Sequence, residues 1–288
     1  MILVTGATGT VGRALVERLP ADLGVRLMAR DPAKITGAAS TAEKVAGDHG
    51  DPRSLTRALT GVRTAFLVTT RVGADDDARF VRAAQMAGVQ RVVKLSAAAV
   101  LDDRADDLIT RWQRATEELL RASGMEWTVL RPRAFMSNSL SWAASIRSER
   151  TVRALYGTWG NACVDPRDIA EVAVRVLTEE GHAGRAYTLT GPEAVTAAGQ
   201  TEQLARLLGV PLRFEELSPE EARRALAKRY PAPVVEALLQ SAERQRAGAK
   251  ATVEDTVGAL TGRPAGTFAA WAADHLAAFE PVTEAAGA

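Results

Sequence analysis

Short apolar runs alternate with helix-period segments through the first half of the chain. Ile2-Leu3-Val4 leads into a glycine-rich turn, and Ala14, Leu15 and Leu19 then recur at helical spacing. Further apolar runs at residues 25–29, 44–48, 64–70, 91–96 and 126–131 predict five more strands. The run at 64–70 is apolar nearly throughout, as in a strand covered on both faces. Between the runs lie predicted helices. One spans 52–59, with Asp51 as N-cap and Pro52 at its first position. One spans 78–87 and stops at Gly88. A third spans 110–123, striped by Trp112, Ala115, Leu119 and Leu120 and ended by Gly124. Asp75-Asp76-Asp77 reads as a solvated acidic helix start that complements the dipole. Residues 97–107 read as a mobile loop. The alternation is that of an α/β fold, a doubly wound parallel sheet of the Rossmann type.

After Pro132 the pattern loosens. Asp165-Pro166-Arg167-Asp168 carries N-cap chemistry and opens a helix, and residues 187–190 form one more strand. From Gly191 onward the pattern predicts helices only, among them one started by the capping box Ser218-Pro219-Glu220-Glu221. A stripe of Phe268, Trp271, Leu276 and Phe279 lies near the end. The expected division is a dinucleotide-binding core at 1–133, rejoined by 164–192. Residues 134–163 and 193–288 then form a smaller, mostly helical substrate or effector lobe, expected to make a cleft with the carboxyl edge of the sheet.

Composition removes alternatives. Of 288 residues, 47% are hydrophobic, enough for a sizeable core. The formal net charge of +1 implies neither direct nucleic-acid binding nor a membrane patch. The single cysteine, Cys163, excludes an internal disulfide and fits a reducing compartment. With no signal peptide or spanning run in view, a cytoplasmic location is expected. His49, His182 and His275 are isolated in the sequence, so no metal site is expected.

The candidate chemistry begins at the first turn, Gly6-Ala7-Thr8-Gly9-Thr10-Val11-Gly12. Gly6 permits the tight turn, Gly9 lets backbone approach a pyrophosphate, and Gly12 lets the helix pack close to the strand. Arg30 follows the second strand, where an acid would select a ribose 2′-hydroxyl and an arginine accommodates a 2′-phosphate. Arg30 therefore points to NADP(H), with Lys34 or Arg13 assisting. Asp48 is a candidate for the adenine. Thr69 and Thr70 end the fourth strand, where cofactors lie, and Ser96 ends the fifth.

In sum these motifs resemble the NmrA-like branch of the atypical short-chain dehydrogenases/reductases. The residues that carry the resemblance are the glycine turn, Arg30-Asp31-Pro32, and Val92 to Ser96 with Glu117. They continue through Trp127 to Pro132 with Phe135 to Asn138, Asp168-Ile169-Ala170, and Tyr187 to Pro192. The resemblance implies a Rossmann fold, NADP(H), with Pro132 among its contacts, and a C-terminal substrate lobe. Members include quinone and ketone reductases, and regulators that bind the cofactor without turnover. Superfamily enzymes carry a Tyr and, four residues on, a Lys on the helix after the fifth strand; aligned on Glu117, this chain has Ile109 and Gln113. Ser96 matches the superfamily's serine and is the one candidate catalytic residue.

The expected function is NADPH-dependent reduction of a ketone or quinone, an aromatic or polycyclic small molecule of specialised metabolism, by hydride transfer without the usual Tyr/Lys pair. Phe135, Met136, Asn138, Trp142, Tyr156 and Trp159 are candidates for the substrate cleft. The competing expectation is a redox sensor that binds NADP(H) and acts on a protein partner.

Overall fold

The computed structural model describes residues 1–280. In chain order its first elements are β1 (Ile2–Val4), α1 (Thr10–Val16), β2 (Val25–Ala29), β3 (Glu43–Ala46), α2 (Pro52–Leu59), β4 (Thr64–Leu67), α3 (Asp76–Met86), β5 (Arg91–Leu95), α4 (Leu108–Arg121) and β6 (Glu126–Pro132). Then follow α5 (Ala143–Glu149), β7 (Thr151–Leu155), α6 (Pro166–Thr178), β8 (Arg185–Leu189), α7 (Ala197–Leu208), β9 (Arg213–Leu217), α8 (Pro219–Ala227), α9 (Ala232–Arg246), α10 (Thr256–Thr261) and α11 (Phe268–Asp274). They divide into two compact units. The first comprises Met1–Pro132, Pro166–Leu189 and Asp255–Pro264; the second comprises Arg133–Asp165, Thr190–Glu254 and, among the described residues, 265–280.

The first unit is built on a seven-stranded sheet in the order β3-β2-β1-β4-β5-β6-β8. Every neighbouring pair is parallel, so the sheet is the doubly wound one expected from the alternation. The order reverses between β1 and β4, and ligands of such sheets lie outside the carboxyl ends at this switch point. Leu3, Leu55, Leu59, Leu67, Phe80, Val92 and Leu120 form a buried core on one face. Each such side chain contributes about 1.5–3 kcal/mol through burial. On the other face α1 packs along α6.

Two polar details fasten this unit. The Thr5 hydroxyl donates to the Phe66 carbonyl at 3.0 Å and accepts from the Val68 amide at 2.8 Å, tying the end of β1 to the end of β4. The carboxylate of Glu117, on α4, accepts four hydrogen bonds. They come from the Ser96 hydroxyl at 2.7 Å, Arg131 Nε at 3.0 Å, Arg131 Nη2 at 2.5 Å and Arg121 Nη2 at 2.7 Å. Burial alone would raise the pKa of Glu117, but these bonds, led by Arg131, hold it below the ordinary carboxylate value.

Several expectations are corrected. Residues 97–107 are held rather than loose: Arg114 donates to the carbonyls of Val100, Ala105 and Asp102 at 3.3, 2.6 and 2.5 Å. The triple aspartate is solvated only at Asp75. Asp76 and Asp77 are buried, because Arg71 pairs with the first and Lys94, Thr69 and Trp112 surround the second. Residues 255–264, assigned from the sequence to the second lobe, belong to the first unit, where Arg263 pairs with Asp168 at 2.9 Å and Val257 is fully buried.

The second unit is not purely helical. β7 and β9 form a parallel two-stranded sheet, with Thr151 opposite Arg213 and Leu155 opposite Leu217. The charges in Arg213–Leu217 hide this strand from a hydrophobic pattern. The unit's core gathers Met136, Ile146, Val152, Leu204, Phe268, Trp271 and Phe279. The Ser218 capping box at the start of α8 forms as its spacing predicts.

Glu117→Ala should unfold the protein early. It leaves Arg131, only 15% exposed, without its carboxylate, and breaking such a buried pair costs about 3–5 kcal/mol. Chemical denaturation of both proteins measures the difference; a loss within error would mean that the cluster adds nothing to stability.

Candidate active site

A cleft of about 330 Å³ opens within the first unit at the carboxyl ends of the strands around the switch point. Its lining comes from the glycine turn (Gly6, Thr8, Gly9), the end of β2 (Met28, Ala29, Arg30), the segment after β3 (Gly47, Asp48, His49) and the segment after β4 (Val68, Thr70, Arg71), with Asp76.

The turn is shaped for backbone approach. Gly6 has φ +66°, which favours glycine, and a Cβ there would meet the Val68 Cβ at 3.0 Å. At Gly12 a Cβ would lie 2.0 Å from the Gly6 carbonyl oxygen, so α1 packs against the turn as only glycine allows. Gly9 differs: the only atom near its ideal Cβ is the Gly6 carbonyl oxygen, at 3.3 Å. What a side chain at Gly9 would take up is cleft space. Gly9 is also the N-cap of α1, and no side chain caps the helix. The free N–H groups of its first turn suit a phosphate.

The charges in the cleft are unequal in kind. Arg71 is neutralised: its guanidinium contacts Asp76 at 2.5 and 2.7 Å and Asp48 at 3.3 Å. Asp48 Oδ1 also accepts the Gly50 amide at 2.6 Å. Arg30 is exposed and has no carboxylate partner among the described residues. It is therefore the cation in the lining left for an anion. His49 lies against Phe80, with ring centroids 5.8 Å apart, and its Nδ1 is buried without a partner. Burial lowers its pKa, opposed by Asp76, Asp77 and Asp48. These features fit a dinucleotide with a 2′-phosphate: a bare glycine turn for the pyrophosphate, an unpaired arginine at the end of β2, and polar groups after β3.

Of the residues expected at the cofactor, Gly6, Thr8, Gly9, Arg30, Asp48 and Thr70 line this one cleft. Thr10, Val11 and Gly12 belong to the first turn of α1 behind it. Thr69 points elsewhere, its hydroxyl donating to Asp77 Oδ1 at 2.7 Å. Lys34 is exposed and lies 3.7 Å from Asp31. Pro132 ends β6 opposite Leu189. Ser96 follows β5 and is 6% exposed, its hydroxyl proton directed to Glu117. His49, Arg71 and Asp76 were missed, although 49 and 71 lie in the short segments that follow β3 and β4.

Lys94, on β5, is wholly buried. It donates to the Leu95 carbonyl at 2.6 Å and stands 3.8 Å from Asp77 and 5.6 Å from the centre of the Trp112 ring. Burial pushes its pKa down to about 8. Gln113, one helical turn before Glu117, is buried with its side-chain oxygen unpartnered; Ile109 offers no proton.

In the second unit the candidate cleft residues have separate surroundings. Met136 lies in the core, against which Trp142 packs. Tyr156, at φ +53°, donates to Glu243 and lies under the Arg246 guanidinium. Trp159 and Asn138 are exposed, and Phe135 bridges to Val164. The thiol of Cys163 is buried, which pushes its pKa up to about 11.

A family model described as NAD(P)H-binding matches residues 6–180. The chain belongs to that family, in its NmrA-like branch. It is 57% identical over 98% of its length, and all of the relative's, to a (4-alkanoyl-5-oxo-2,5-dihydrofuran-3-yl)methyl phosphate reductase of Streptomyces griseus subsp. griseus. It is 36% identical to an NAD(P)H azoreductase of Xenophilus azovorans, over 97% and 99% of the two chains. Among solved structures, it superposes on an NADPH-dependent quinone oxidoreductase complexed with NADPH from Escherichia coli. The TM-score is 0.82 and the identity 28%, with 96% and 99% of the chains covered. The family member is thus an NADPH-dependent oxidoreductase that takes a small molecule. Among the described residues no helix is long and apolar enough to cross a membrane.

Gly9→Val should abolish NADPH binding and leave the circular dichroism spectrum native, since the added atoms meet the cleft rather than the core. Unchanged affinity would move the pyrophosphate off this turn. Arg30→Ala should weaken NADPH by about tenfold or more and leave NADH nearly unaffected, because one charge-assisted contact is worth about 1.5–3 kcal/mol. Titration of both cofactors decides it, and equal losses would remove Arg30 from specificity.

Proposed function

We propose that the enzyme reduces an electron-poor conjugated carbonyl compound, a quinone or an unsaturated lactone whose double bond carries two carbonyl groups on one carbon. When bound, the nicotinamide supplies a hydride. The observation that carries the reading is the Ser96 hydroxyl, which donates its hydrogen bond to the Glu117 carboxylate. No tyrosine stands at 109, where Ile109 is found, and Gln113 replaces the lysine. These three positions support a reading in which the acceptor is reduced without an acid from the protein.

A simple ketone turns into an alkoxide on hydride addition and needs an acid at once. A general acid contributes a factor of about 10²–10⁴ to such a step. An acceptor conjugated to two carbonyl groups turns instead into a delocalised enolate, which takes its proton from water afterwards. The relative from Streptomyces griseus is named for a substrate of this kind: a ring double bond with the alkanoyl group and the lactone carbonyl on one carbon and the phosphate-bearing methyl group on the other. That name supports an acyl-lactone for this chain as well. The protein's task is then to bind and orient, with Arg30 and the glycine turn holding the cofactor. Ser96 and Glu117 keep the end of β5 rigid beside it.

The test is NADPH consumption against quinones, 2-acylbutenolides, aryl ketones and aliphatic ketones. Turnover is expected with the first two classes, and the aliphatic ketones should be nearly inert. Ser96→Ala should slow the reaction by less than about tenfold, below the range of about 10²–10⁴ for a general acid. Rapid reduction of aliphatic ketones, or a loss of that larger size in Ser96→Ala, would show that a proton donor is present.

A further inference from the structure

The 2′-phosphate of NADP(H) is close to a dianion, and the cleft lining offers it a single unpaired cation. Arg71 is engaged by Asp76 and Asp48. Lys34 is 74% exposed and has Asp31 beside it. Arg30 stands alone. One further arginine reaches the same turn from behind. Arg13, on α1, donates its Nε to the Thr8 carbonyl at 3.0 Å, and Thr8 lines the cleft. Arg13 is exposed, and it has no carboxylate partner among the described residues.

The tether has a geometric consequence. A guanidinium is planar and presents its donors in a fixed fork. With Nε committed to the Thr8 carbonyl, the far edge, carrying Nη1 and Nη2, remains unbonded and is held beside the turn. Anchoring of this kind removes much of the ordering entropy that a free surface arginine loses when it meets a ligand. The Thr8 carbonyl belongs to the segment between Gly6 and Gly9, which shares the cleft with Arg30.

We infer that Arg13 and Arg30 form a two-arginine clamp on the 2′-phosphate, with Arg13 held in place by the Thr8 carbonyl. Arg13 is then a specificity-determining residue, and selectivity for NADPH over NADH is divided between two elements, α1 and the end of β2. The proposal rests on NADP(H) as the cofactor and adds a residue to its recognition.

Direct binding tests it, with no need for a substrate. Dissociation constants for NADPH, NADH, 2′-AMP and 5′-AMP are measured by fluorescence or calorimetry on the wild type, Arg13→Ala and Arg13→Gln. Charge-assisted bonds to a phosphate are the strong ones, so both variants should weaken NADPH and 2′-AMP by about tenfold. NADH and 5′-AMP should be unchanged. Glutamine can still bond the Thr8 carbonyl, so an equal loss in both variants assigns the effect to the charge. Binding of NADPH and 2′-AMP should also become less sensitive to added salt. Two results overturn the clamp. Equal losses for NADH and NADPH would put Arg13 on the pyrophosphate. Loss in Arg13→Ala with full affinity in Arg13→Gln would leave it only a fastener of the turn. If NADPH binds no better than NADH in the wild type, the cofactor reading fails before the clamp is reached.

Discussion

The carboxylate of Glu117 is the constraint on which the β5, α4 and β6 part of the first unit depends. It sits 1% exposed on α4 and receives donors from the end of β5, from β6 and from its own helix. A buried carboxylate is tolerated only when its lone pairs are used, and here four bonds use them. The arrangement locks α4 against the carboxyl edge of the sheet and engages the Ser96 hydroxyl as a hydrogen-bond donor. What α4 supplies to the sheet edge is Glu117 and its hydrogen bonds to Ser96 and Arg131. Ile109 and Gln113 are consistent with that role, since neither donates as a tyrosine or titrates as a lysine does.

The cofactor cleft follows the same economy of means. Backbone does most of the shaping: Gly6 turns, Gly12 admits the helix, and Gly9 leaves room. Side chains then sort the charge. Arg71 is consumed in joining the segments after β3 and β4 through Asp48 and Asp76, which leaves Arg30 to meet an anion. In the core, Lys94 and Asp77 form a buried polar pair with Thr69 and Trp112, a costly feature made tolerable by its hydrogen bonds.

The parallel sheet and the glycine turn were legible because they depend on local rules, apolar runs of strand length and glycines at fixed spacing. Arg30 was legible for the same reason, through its distance from the turn. What escaped was set by partners distant in sequence. Asp77 looks solvated until Trp112 and Lys94 close on it. Arg71 is an ordinary loop residue until Asp48 and Asp76 meet it. The pairing of β7 with β9 joins residues about sixty apart, and the charges of Arg213, Glu215 and Glu216 mask the strand. Residues 97–107 read as loose because the anchor, Arg114, lies on the next helix.

The central claim is that hydride transfer here needs no proton from the protein. Single-turnover oxidation of NADPH by a quinone, followed in light and heavy water with the cofactor protiated or deuterated at the transferring carbon, tests it most directly. A primary isotope effect from the cofactor, with a solvent isotope effect near unity and a rate independent of pH across neutrality, is the expected result. A sizeable solvent effect multiplied onto the cofactor effect would mean that proton and hydride move together, and the claim would be wrong.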